Sequence, residues 1–522
     1  MPRLHRWMLL FSLLAAPTGV YAQDDDAMNF APVSVEEDAE SKAELEEALK
    51  AYKQRDFLRA SLILHRLVSR NEVAATAVEQ KSEYTLGKTL YRLGLFQASL
   101  NFFDRIVQAG PDHRYFKATC KWLYYLSRKI SGDPGLLEKI AKFTPQDCPA
   151  EFRSELAFLV GQFHYVKGAS KKAIENLTQV DPKSRYFPKA RFLQGISHVR
   201  LEQPKPAVEA FKDLLRATVE SDDVTEDLRY FNQLAILSMA RVFYSTGQFN
   251  TAVKYYDQIG LDSTLWLDSL FEASWTFFRM NNHEKALGNL HTLSSPFFSD
   301  EYVPEGPILK AVIFYANCDY ERTKQTISDF RLAYEPLRDE IKGYIESFSD
   351  PTEFYDFLTK LQDAGASMSP RVAQILNAAF QDKTLKRINA YVRELDKEMD
   401  LIRRSKSTWS KSQLAQQIVQ ETEVIKSLAV DEAGRLAKQR LKRVVDELND
   451  LINQSIKIEF EVASAEKGIL ENKLQGDAPA QRGRKGTLYA TDDEHIYWPF
   501  SGEYWRDELG YYLYTIKSEC GR

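Results

Sequence analysis

A pattern of small and bulky residues recurs in phase along the chain between Leu45 and Pro336. Each full copy contains a small residue, a turn residue seven positions later and a second small residue five positions beyond the turn. The first small residues lie 74, 34, 45 and 34 positions apart, and weaker copies fill the longer steps, so about eight units follow one another. The first small residues are Gly87, Gly161, Gly195, Ala240 and Ser274.

A period near 34 residues is typical of an array of helix pairs, in which one pair cannot bury its apolar face without a neighbour. Apolar residues at helical spacing lead up to each turn residue, and a second helix begins after it. We expect the small residues where the two helices of a pair cross, because larger side chains would push the backbones apart. The turn residues are Gly94, Gly168, Gly247 and Asn281, and the fifth copy lacks a clear one.

The sequence YTLGKTLYRLGLFQASLNFFDRIVQAGPD, residues 84–112, resembles the tetratricopeptide repeat (TPR) family, which has this period and this succession of small and aromatic residues. The resemblance covers roughly 290 of the 522 residues, although the aromatic residue that often precedes the first small one is missing from several copies. It implies an all-α fold: a TPR-like helical-hairpin solenoid over residues 43–338, whose concave surface binds protein partners.

The N-terminus has the layout of a cleavable signal peptide over residues 1–22. Arg3 and Arg6 precede a short apolar run, and small residues permit cleavage after Ala22. An uncleaved anchor is the alternative, but ten apolar residues fall short of the ~20 that a spanning helix needs. No later run is apolar enough to span a bilayer. Together with the signal pattern, this predicts an exported protein that is periplasmic in a Gram-negative bacterium. Residues 23–42 are acidic and predict a disordered leader.

Composition argues against several classes of partner and site. The net charge of −5 provides no global basic field for nucleic acid or anionic lipid. Four cysteines without a C-x-x-C pair give no support for a zinc site. Cys120 and Cys148 fall in one repeat, where they could form a disulfide or remain two reduced core cysteines, and Cys520 has no obvious partner.

The first helices of the repeats carry aromatic and basic residues at recurring positions after the first small residue. Rings supply contact area and guanidinium groups pair with carboxylates, so this face suits an acidic or C-terminal peptide. Alternatively, the rings pack between neighbouring repeats and the arginines are merely solvated. The predicted partner-binding residues are Lys88, Tyr91, Arg92, Gln162, Tyr165, Arg200, Arg241, Tyr244, Trp275, Phe278 and Arg279.

Residues 339–383 contain helix breakers and predict a helical cap or joint after the solenoid. The apolar period then changes to alternating steps of three and four, which is the heptad pattern of a coiled coil, over residues 384–475. These helices could form a hairpin, associate with another copy as a coiled coil, or fold as amphipathic helices onto the solenoid. The seam residues are Leu385, Ile388, Val392, Leu395, Met399 and Ile402, followed by Leu441, Val445, Leu448 and Ile452.

An aromatic-rich tail over residues 488–522 follows a flexible linker over residues 476–487. So many exposed rings would be a liability, so we expect the tail to dock, either over the coiled coil or as a platform for a partner or a glycan. The tail resembles the ends of repeat proteins from envelope machineries such as gliding motility. The predicted docking residues are Tyr497, Trp498, Phe500, Tyr504 and Trp505.

Motifs of known catalytic and cofactor sites are missing from the sequence, which has no P-loop, nucleophile elbow, zincin or dinucleotide-binding pattern. The dense cluster of Asp492, Asp493, Glu494 and His495 is better explained by surface solvation than by metal or acid–base chemistry. We therefore expect no catalytic residue, no cofactor and no metal.

These features together predict a non-enzymatic scaffold or adaptor within a cell-envelope assembly, for example one that serves motility. Its partners would be proteins, with an acidic or C-terminal peptide on the concave face. Two alternatives stay open. One is an enzyme, or enzyme subunit, that acts on cell-wall glycan with Glu494 or Glu503 as its acid. The other is a structural envelope spacer built from the long helices.

Overall fold

A computed structural model describes residues 39–70, 77–130, 133, 135–219, 225–298, 301–364, 375, 383–474 and 493–520. The predicted signal peptide over residues 1–22 and the linker over residues 476–487 lie outside these described residues. Across the described ranges the regular structure is α-helix with short 3₁₀ turns and no strand, which confirms the all-α prediction.

Helices follow one another in pairs, numbered here as repeats 1 to 8. This succession of helical hairpins is the TPR-like architecture that the repeat pattern predicts. Within the described residues the eight pairs are Ala39–Lys53 with Phe57–Val68, Ala77–Arg92 with Phe96–Ala109, Phe116–Ser127 with Leu136–Ile140, Arg153–Val166 with Ser170–Thr178, Phe187–Arg200 with Pro204–Val219, Glu226–Ser245 with Phe249–Tyr256, Trp266–Arg279 with His283–Leu293, and Glu305–Ala316 with Tyr320–Ser347.

The chain divides into two compact units. Unit 1 contains residues 1–193, 350–360 and 380–437, and unit 2 contains residues 194–349, 361–379 and 438–522. Unit 1 therefore holds repeats 1 to 4, and unit 2 holds repeats 6 to 8 and most of repeat 5.

The small residues of the repeat pattern lie where the two helices of a pair touch. A Cβ on Gly87 would stand 2.8 Å from Cε1 of Phe103, closer than two carbon atoms can approach without displacement. The side chain of Phe103 therefore fills the space that the glycine leaves open, and the crossing of the two helices depends on it. The equivalent pairs are Gly161 with Leu177 and Gly195 with Phe211.

The turn residues end the first helices in the left-handed region of backbone conformation. Gly94 has a φ of 79°, and Gly168 and Gly247 each have a φ of 76°. Asn281, at 58°, takes the same conformation, which asparagine tolerates better than most residues. The turn residues predicted from the sequence thus serve as helix C-terminal caps.

Three further repeats turn at the same register without glycine or asparagine. Their turn residues Arg55, Glu202 and Cys318 have φ values of 62°, 57° and 58°. Glu202 supplies the turn of the fifth copy, which has no recognisable turn residue in the sequence. The geometry of the hairpin, rather than local preference, imposes this conformation at all three positions.

Two helices after the repeats, Lys383–Arg404 and Gln413–Leu474, are joined by the short helix Ser407–Ser410. In unit 1 the connection is anchored by Trp409, whose Nε1 donates a hydrogen bond to Oγ of Ser61 at 2.8 Å. Trp409, Leu414 and Ile418 belong to the same core as the apolar residues of repeat 1. The connection and the start of the helix Gln413–Leu474 therefore fold onto the repeats of unit 1.

The predicted heptad seam is buried inside the chain. Residues from Leu385 to Ile402 that carry the pattern are between 1% and 8% exposed, and those from Leu441 to Ile452 are at most 7% exposed. In unit 2, Nη1 of Arg338 also donates to Oδ1 of Asn449 at 3.4 Å. Of the arrangements that the sequence left open, the one observed is packing of amphipathic helices on the repeats. The seam is not available to a second copy.

Some helix bounds differ from those predicted. The first helix begins at Ala39, inside the segment predicted as a leader. The second helix of repeat 8 continues through Pro336 to Ser347, and the helix Pro351–Ala364 follows. None of the helices in the described ranges has the length and apolar character that crossing a membrane requires.

Candidate partner-binding surfaces

Unit 2 presents a patch of rings and one arginine on the first helices of repeats 6 and 7 and at the start of the second helix of repeat 6. We call Tyr244, Phe249, Trp275, Phe278 and Arg279 the aromatic–arginine patch. The ring centroids of Tyr244 and Phe249 are 5.5 Å apart, and those of Trp275 and Phe278 are 6.0 Å apart. The guanidinium of Arg279 lies 5.4 Å from the Phe249 ring centroid, and the Arg279 side chain is exposed. Burial raises the pKa of the Tyr244 hydroxyl, against the lowering effect of Arg279.

Arg241, another predicted residue of the face in unit 2, is already paired. Its Nε lies 3.0 and 2.9 Å from the two carboxylate oxygens of Glu272, and its Nη2 lies 2.6 Å from Oε1. The hydroxyl of Tyr256 donates to the same carboxylate at 3.2 Å. Burial lowers the pKa of Arg241, but the charge of Glu272, the hydrogen bonds to it and further acidic neighbours together raise the pKa above its ordinary value. Arg241 therefore joins neighbouring repeats by a charge-assisted, bidentate contact.

Lys88 in unit 1 is buried among three rings. Its side chain belongs to a residue only 3% exposed, and its Nζ lies 5.2, 5.5 and 5.8 Å from the ring centroids of Tyr52, Tyr84 and Trp122. These rings come from the first helices of repeats 1, 2 and 3. The ammonium group thus joins three successive repeats by cation–π contacts and is not accessible to a partner.

The other predicted residues of the face lie at different depths. Tyr91 is half-buried, with its ring centroid 5.2 Å from that of Phe96 and 5.3 Å from that of Trp122. Gln162 and Tyr165 are buried, and Arg92 and Arg200 are half-buried. Packing between repeats therefore accounts for the rings in unit 1, whereas the patch in unit 2 keeps an exposed guanidinium.

The C-terminal tail lies on repeats 7 and 8 of unit 2. It is held largely through its own backbone amides, on acceptors at or near helix ends. The described bonds run from Gly510 N to Thr292 Oγ1 at 3.0 Å, from Tyr514 N to Glu284 O at 3.0 Å, and from Glu519 N to Asn317 O at 2.8 Å. Backbone bonds of this kind hold a segment without reading its side chains.

His291 is the centre of the ring contacts between the tail and the repeats. Its ring centroid lies 4.5 Å from that of Phe500, 4.7 Å from that of Tyr504 and 5.1 Å from that of Tyr512. Burial lowers the pKa of His291 to about 4, and the charge of Lys310 adds to this effect. The imidazole is therefore neutral at neutral pH and packs as an aromatic ring.

The remaining predicted docking residues stay at the surface. Trp498 and Trp505 contact each other with ring centroids 4.9 Å apart, and Nε1 of Trp498 donates to Glu503 at 2.6 Å. Trp498 is 55% and Tyr497 45% exposed; Phe500 is 53% exposed as well, but its ring contacts His291. Docking in the described contacts thus falls to Phe500 and Tyr504, and the tail lies on the repeats rather than over the coiled coil.

Two disulfides include all four cysteines. Cys120 pairs with Cys148 inside repeat 3 and its following turn, with the two Cα atoms 5.7 Å apart. Cys318 pairs with Cys520, with the Cα atoms 5.1 Å apart, across 202 residues of sequence. The expectation that Cys520 has no obvious partner is therefore corrected. This disulfide fastens the end of the tail to the turn of repeat 8.

The Glu503 carboxylate is poorly suited to act as the acid of a glycan-acting enzyme. The Glu503 carboxylate is exposed and accepts hydrogen bonds from Trp498 Nε1 and Ser501 N, and backbone and side-chain donors lower its pKa. A general acid at neutral pH needs a raised pKa instead. A cavity beside Cys120 has a volume of only about 10 Å³, room for one water molecule. In the described part of the chain no cluster of His, Cys, Asp or Glu is grouped to hold a metal ion.

No family model and no curated protein matches this sequence. Among solved structures, the apo form of RapI is similar at a TM-score of 0.34 and 11% identity, over 70% of this chain and 99% of that one. NprR in complex with its cognate peptide NprX has a TM-score of 0.27 and 15% identity, over 70% of this chain and 100% of that one. A Rap protein complexed with competence and sporulation factor has a TM-score of 0.20 and 10% identity, over 75% of this chain and 100% of that one. At these scores the likeness carries no argument about function, which rests on the surfaces described above.

Proposed function

We propose that this protein is a non-enzymatic scaffold that binds segments of other polypeptides on its repeats. The observation that carries the proposal is the tail itself. Repeats 7 and 8 hold a non-helical segment of the tail through backbone bonds to Glu284, Thr292 and Asn317 and through the ring contacts of His291. A surface of helix ends and rings that accepts one such segment has the groups needed to accept another.

The aromatic–arginine patch is the place where a partner segment would bind. Rings of Tyr244, Trp275 and Phe278 are half-buried, so they are rigid and lose little side-chain entropy on contact. The exposed guanidinium of Arg279 offers a fork for a carboxylate. The chemistry therefore fits a segment that combines an acidic side chain, or a free C-terminus, with apolar residues.

Export to the periplasm is part of the proposal, and the cysteines support it. Disulfides persist in oxidising compartments and are rare in the cytosol. Both pairs, Cys120 with Cys148 and Cys318 with Cys520, suit such a compartment. The N-terminal signal pattern points in the same direction, and a role within a cell-envelope assembly follows from that location.

A peptide-selection experiment tests the proposal. A random peptide library is selected on the purified chain, and the affinity of enriched peptides is measured by fluorescence anisotropy. We expect acidic, apolar peptides whose binding weakens about tenfold or more in Arg279→Glu and in Trp275→Ala. Arg216→Glu is the matched control, because this arginine is 62% exposed on repeat 5 and lies outside the patch.

The outcomes separate the scaffold from its rivals. Peptides that bind Arg279→Glu and Trp275→Ala as tightly as the wild type would place the site elsewhere and remove the patch from the proposal. Release of fragments from peptidoglycan by the purified chain, abolished by Glu503→Gln, would make the protein an enzyme instead.

A further inference from the structure

The last third of the helix Gln413–Leu474 carries two different stripes. One is fastened to the second helix of repeat 8, where Glu459 pairs with Arg331 at 3.3 Å and Glu466 pairs with Lys324 at 2.7 Å. Val462, in the same stripe, is fully buried. This stripe accounts for how the helix docks within unit 2.

The second stripe runs beside the first and is exposed. Ile456 is 46%, Phe460 72%, Leu470 59% and Leu474 87% exposed. With the exposed residues Ala463 and Lys467, these positions are separated by alternating steps of four and three. That is the spacing of a coiled-coil seam, so the stripe presents a straight apolar edge to a partner helix. Large apolar side chains repeated in this way on a surface mark an interaction site.

Charges beside the stripe indicate which partner fits. In a pair of parallel copies, Glu471 of each copy would lie next to Glu466 of the other, which gives two repulsive contacts, whereas an antiparallel pair gives one, between the two Glu466 side chains near the centre. In an antiparallel pair, Lys457 of each copy lies next to Glu471 of the other, because both residues directly follow a seam residue, Ile456 and Leu470, and so lie on the same flank of the seam on opposite sides of its centre. Lys457 is exposed, and Glu471 has a side chain 56% exposed with Lys467 on its own helix as its described partner at 3.6 Å.

The middle of the stripe also suits an antiparallel pair. Lys467 occupies a seam position, where a long charged side chain between large apolar residues would be costly. In the antiparallel register it meets Ala463 of the other copy, whose small side chain leaves room for the lysine stem to run out to solvent. Phe460 then meets Leu470, and Ile456 meets Leu474.

We propose that a second copy of this chain covers the stripe from Ile456 to Leu474, as an antiparallel two-helix contact about two-fold symmetric at Ala465. The seam predicted from the sequence serves folding within the chain, and this separate stripe serves association. Because the contact is under three heptads long, the dimer is expected to dissociate on dilution.

Sedimentation velocity of the full chain over a concentration series tests the association. We expect a monomer–dimer equilibrium that disappears in Phe460→Ser with Leu470→Ser. The matched control is Val424→Ser with Leu428→Ser, which removes residues that are 61% and 65% exposed from the same helix in unit 1. A chain that stays monomeric at every concentration, or a double Phe460 and Leu470 variant that dimerises like the wild type, overturns the proposal.

Charge reversal tests the orientation. Glu471→Lys is expected to weaken the antiparallel dimer by placing two lysines side by side, and adding Lys457→Glu is expected to restore it. In a parallel dimer Glu471→Lys would instead strengthen association, because the new lysine would face Glu466. A dimer strengthened by Glu471→Lys alone therefore contradicts the proposal.

Cross-linking gives an independent readout of the same geometry. Ser464→Cys lies near the symmetry centre, so two copies are expected to be joined by a short bis-maleimide. Leu474→Cys lies at the end, where antiparallel copies place the two thiols roughly 27 Å apart along the helix axis. Efficient cross-linking through both positions would indicate parallel helices and overturn the antiparallel contact.

Discussion

The carbonyl oxygen of Tyr512 lies against Gly288 so closely that no Cβ fits between them. A Cβ on Gly288 would also come within 3.3 Å of the Cα of Leu513. The tail therefore passes over the helix His283–Leu293 at the one residue that leaves space for a backbone. A glycine inside a helix costs stability relative to alanine, and here the close approach of the tail explains its presence.

Gly288→Ala is expected to lift the tail from repeat 7. Alanine favours the helix but overlaps the tail backbone, so the hydrogen bond from Tyr514 N to Glu284 O should weaken. Hydrogen exchange of the Tyr514 amide should accelerate about tenfold or more, as expected for losing a bond worth ~1–2 kcal/mol.

Gly343→Ala is the matched control for this substitution. Gly343 lies within the helix Tyr320–Ser347, and a Cβ there meets no atom within 4 Å. Alanine should raise the free energy of unfolding by about 0.5–1 kcal/mol and leave the tail amides protected. An unchanged Tyr514 amide in Gly288→Ala would show that the tail does not rest on this glycine.

The two disulfides should have different consequences when removed. The pair Cys318 and Cys520 joins the tail to repeat 8, so replacing both by serine should expose the tail to proteases and speed exchange of its amides. The pair Cys120 and Cys148 closes a short loop in unit 1, and its loss should cost about 2–4 kcal/mol of unfolding free energy without changing the tail. Limited proteolysis with mass spectrometry distinguishes the two effects. Equal cleavage of the tail in both double variants would contradict the conclusion that the disulfide between Cys318 and Cys520 is the one that holds the tail.

Glu398 makes the stability of unit 1 depend on pH. It accepts a hydrogen bond from the backbone amide of Gln97 at 2.9 Å and is 4% exposed. Burial raises its pKa to about 7, against the lowering effect of the backbone amides at the start of the helix Phe96–Ala109. An acid with a raised pKa holds its proton longer when folded. The contribution of Glu398 to the free energy of unfolding is therefore fully present below its unfolded pKa near 4.5 and is lost as the pH rises through about 7.

Glu398→Gln is expected to reduce this pH dependence. The shift from 4.5 to about 7 corresponds to about 3 kcal/mol of unfolding free energy lost over that interval in the wild type. The amide variant cannot ionise, so its unfolding free energy, measured by urea titration at several pH values, should fall less steeply. Some slope should remain, because burial also raises the pKa of Glu83 to about 7. If the free energy of unfolding of Glu398→Gln depends on pH as steeply as that of the wild type, Glu398 is not a source of the pH dependence.

The repeat architecture could be predicted from sequence because it is periodic. Helix pairs, small residues at crossings and glycine turns all recur at fixed spacing, and Gly87 with Phe103 is a clear example. The turns at Arg55, Glu202 and Cys318 could not be identified from residue type, which gives no local signal at these positions. Comparison of register does locate them, because each lies seven residues after a buried small residue of its repeat.

The surfaces were harder to predict than the fold. Lys88 and Arg241 occupy positions that face partners in the expected geometry, yet both are engaged with neighbouring repeats. The position of a residue within its repeat determines the direction of its side chain. Whether a partner can reach that side chain depends on the size of the side chains on the adjacent repeats. The pairing of Cys318 with Cys520 and the seat of the tail depend on contacts across some 200 residues, which a local pattern does not encode.

Lys88 offers a direct way to separate packing from binding. The ammonium of Lys88 lies among the rings of Tyr52, Tyr84 and Trp122. Lys88→Met keeps the side-chain volume, loses cation–π contacts worth ~1–2 kcal/mol and removes the cost of burying a charge. The free energy of unfolding should therefore change by no more than about 1 kcal/mol. Lys88→Glu would set a carboxylate against the negative faces of the same rings and should cost about 3 kcal/mol or more. Thermal and urea unfolding measure both variants. If Lys88 belongs to the packing alone, Lys88→Met binds the selected peptides as the wild type does, whereas weakened binding in a stably folded Lys88→Met would return Lys88 to the partner-binding face.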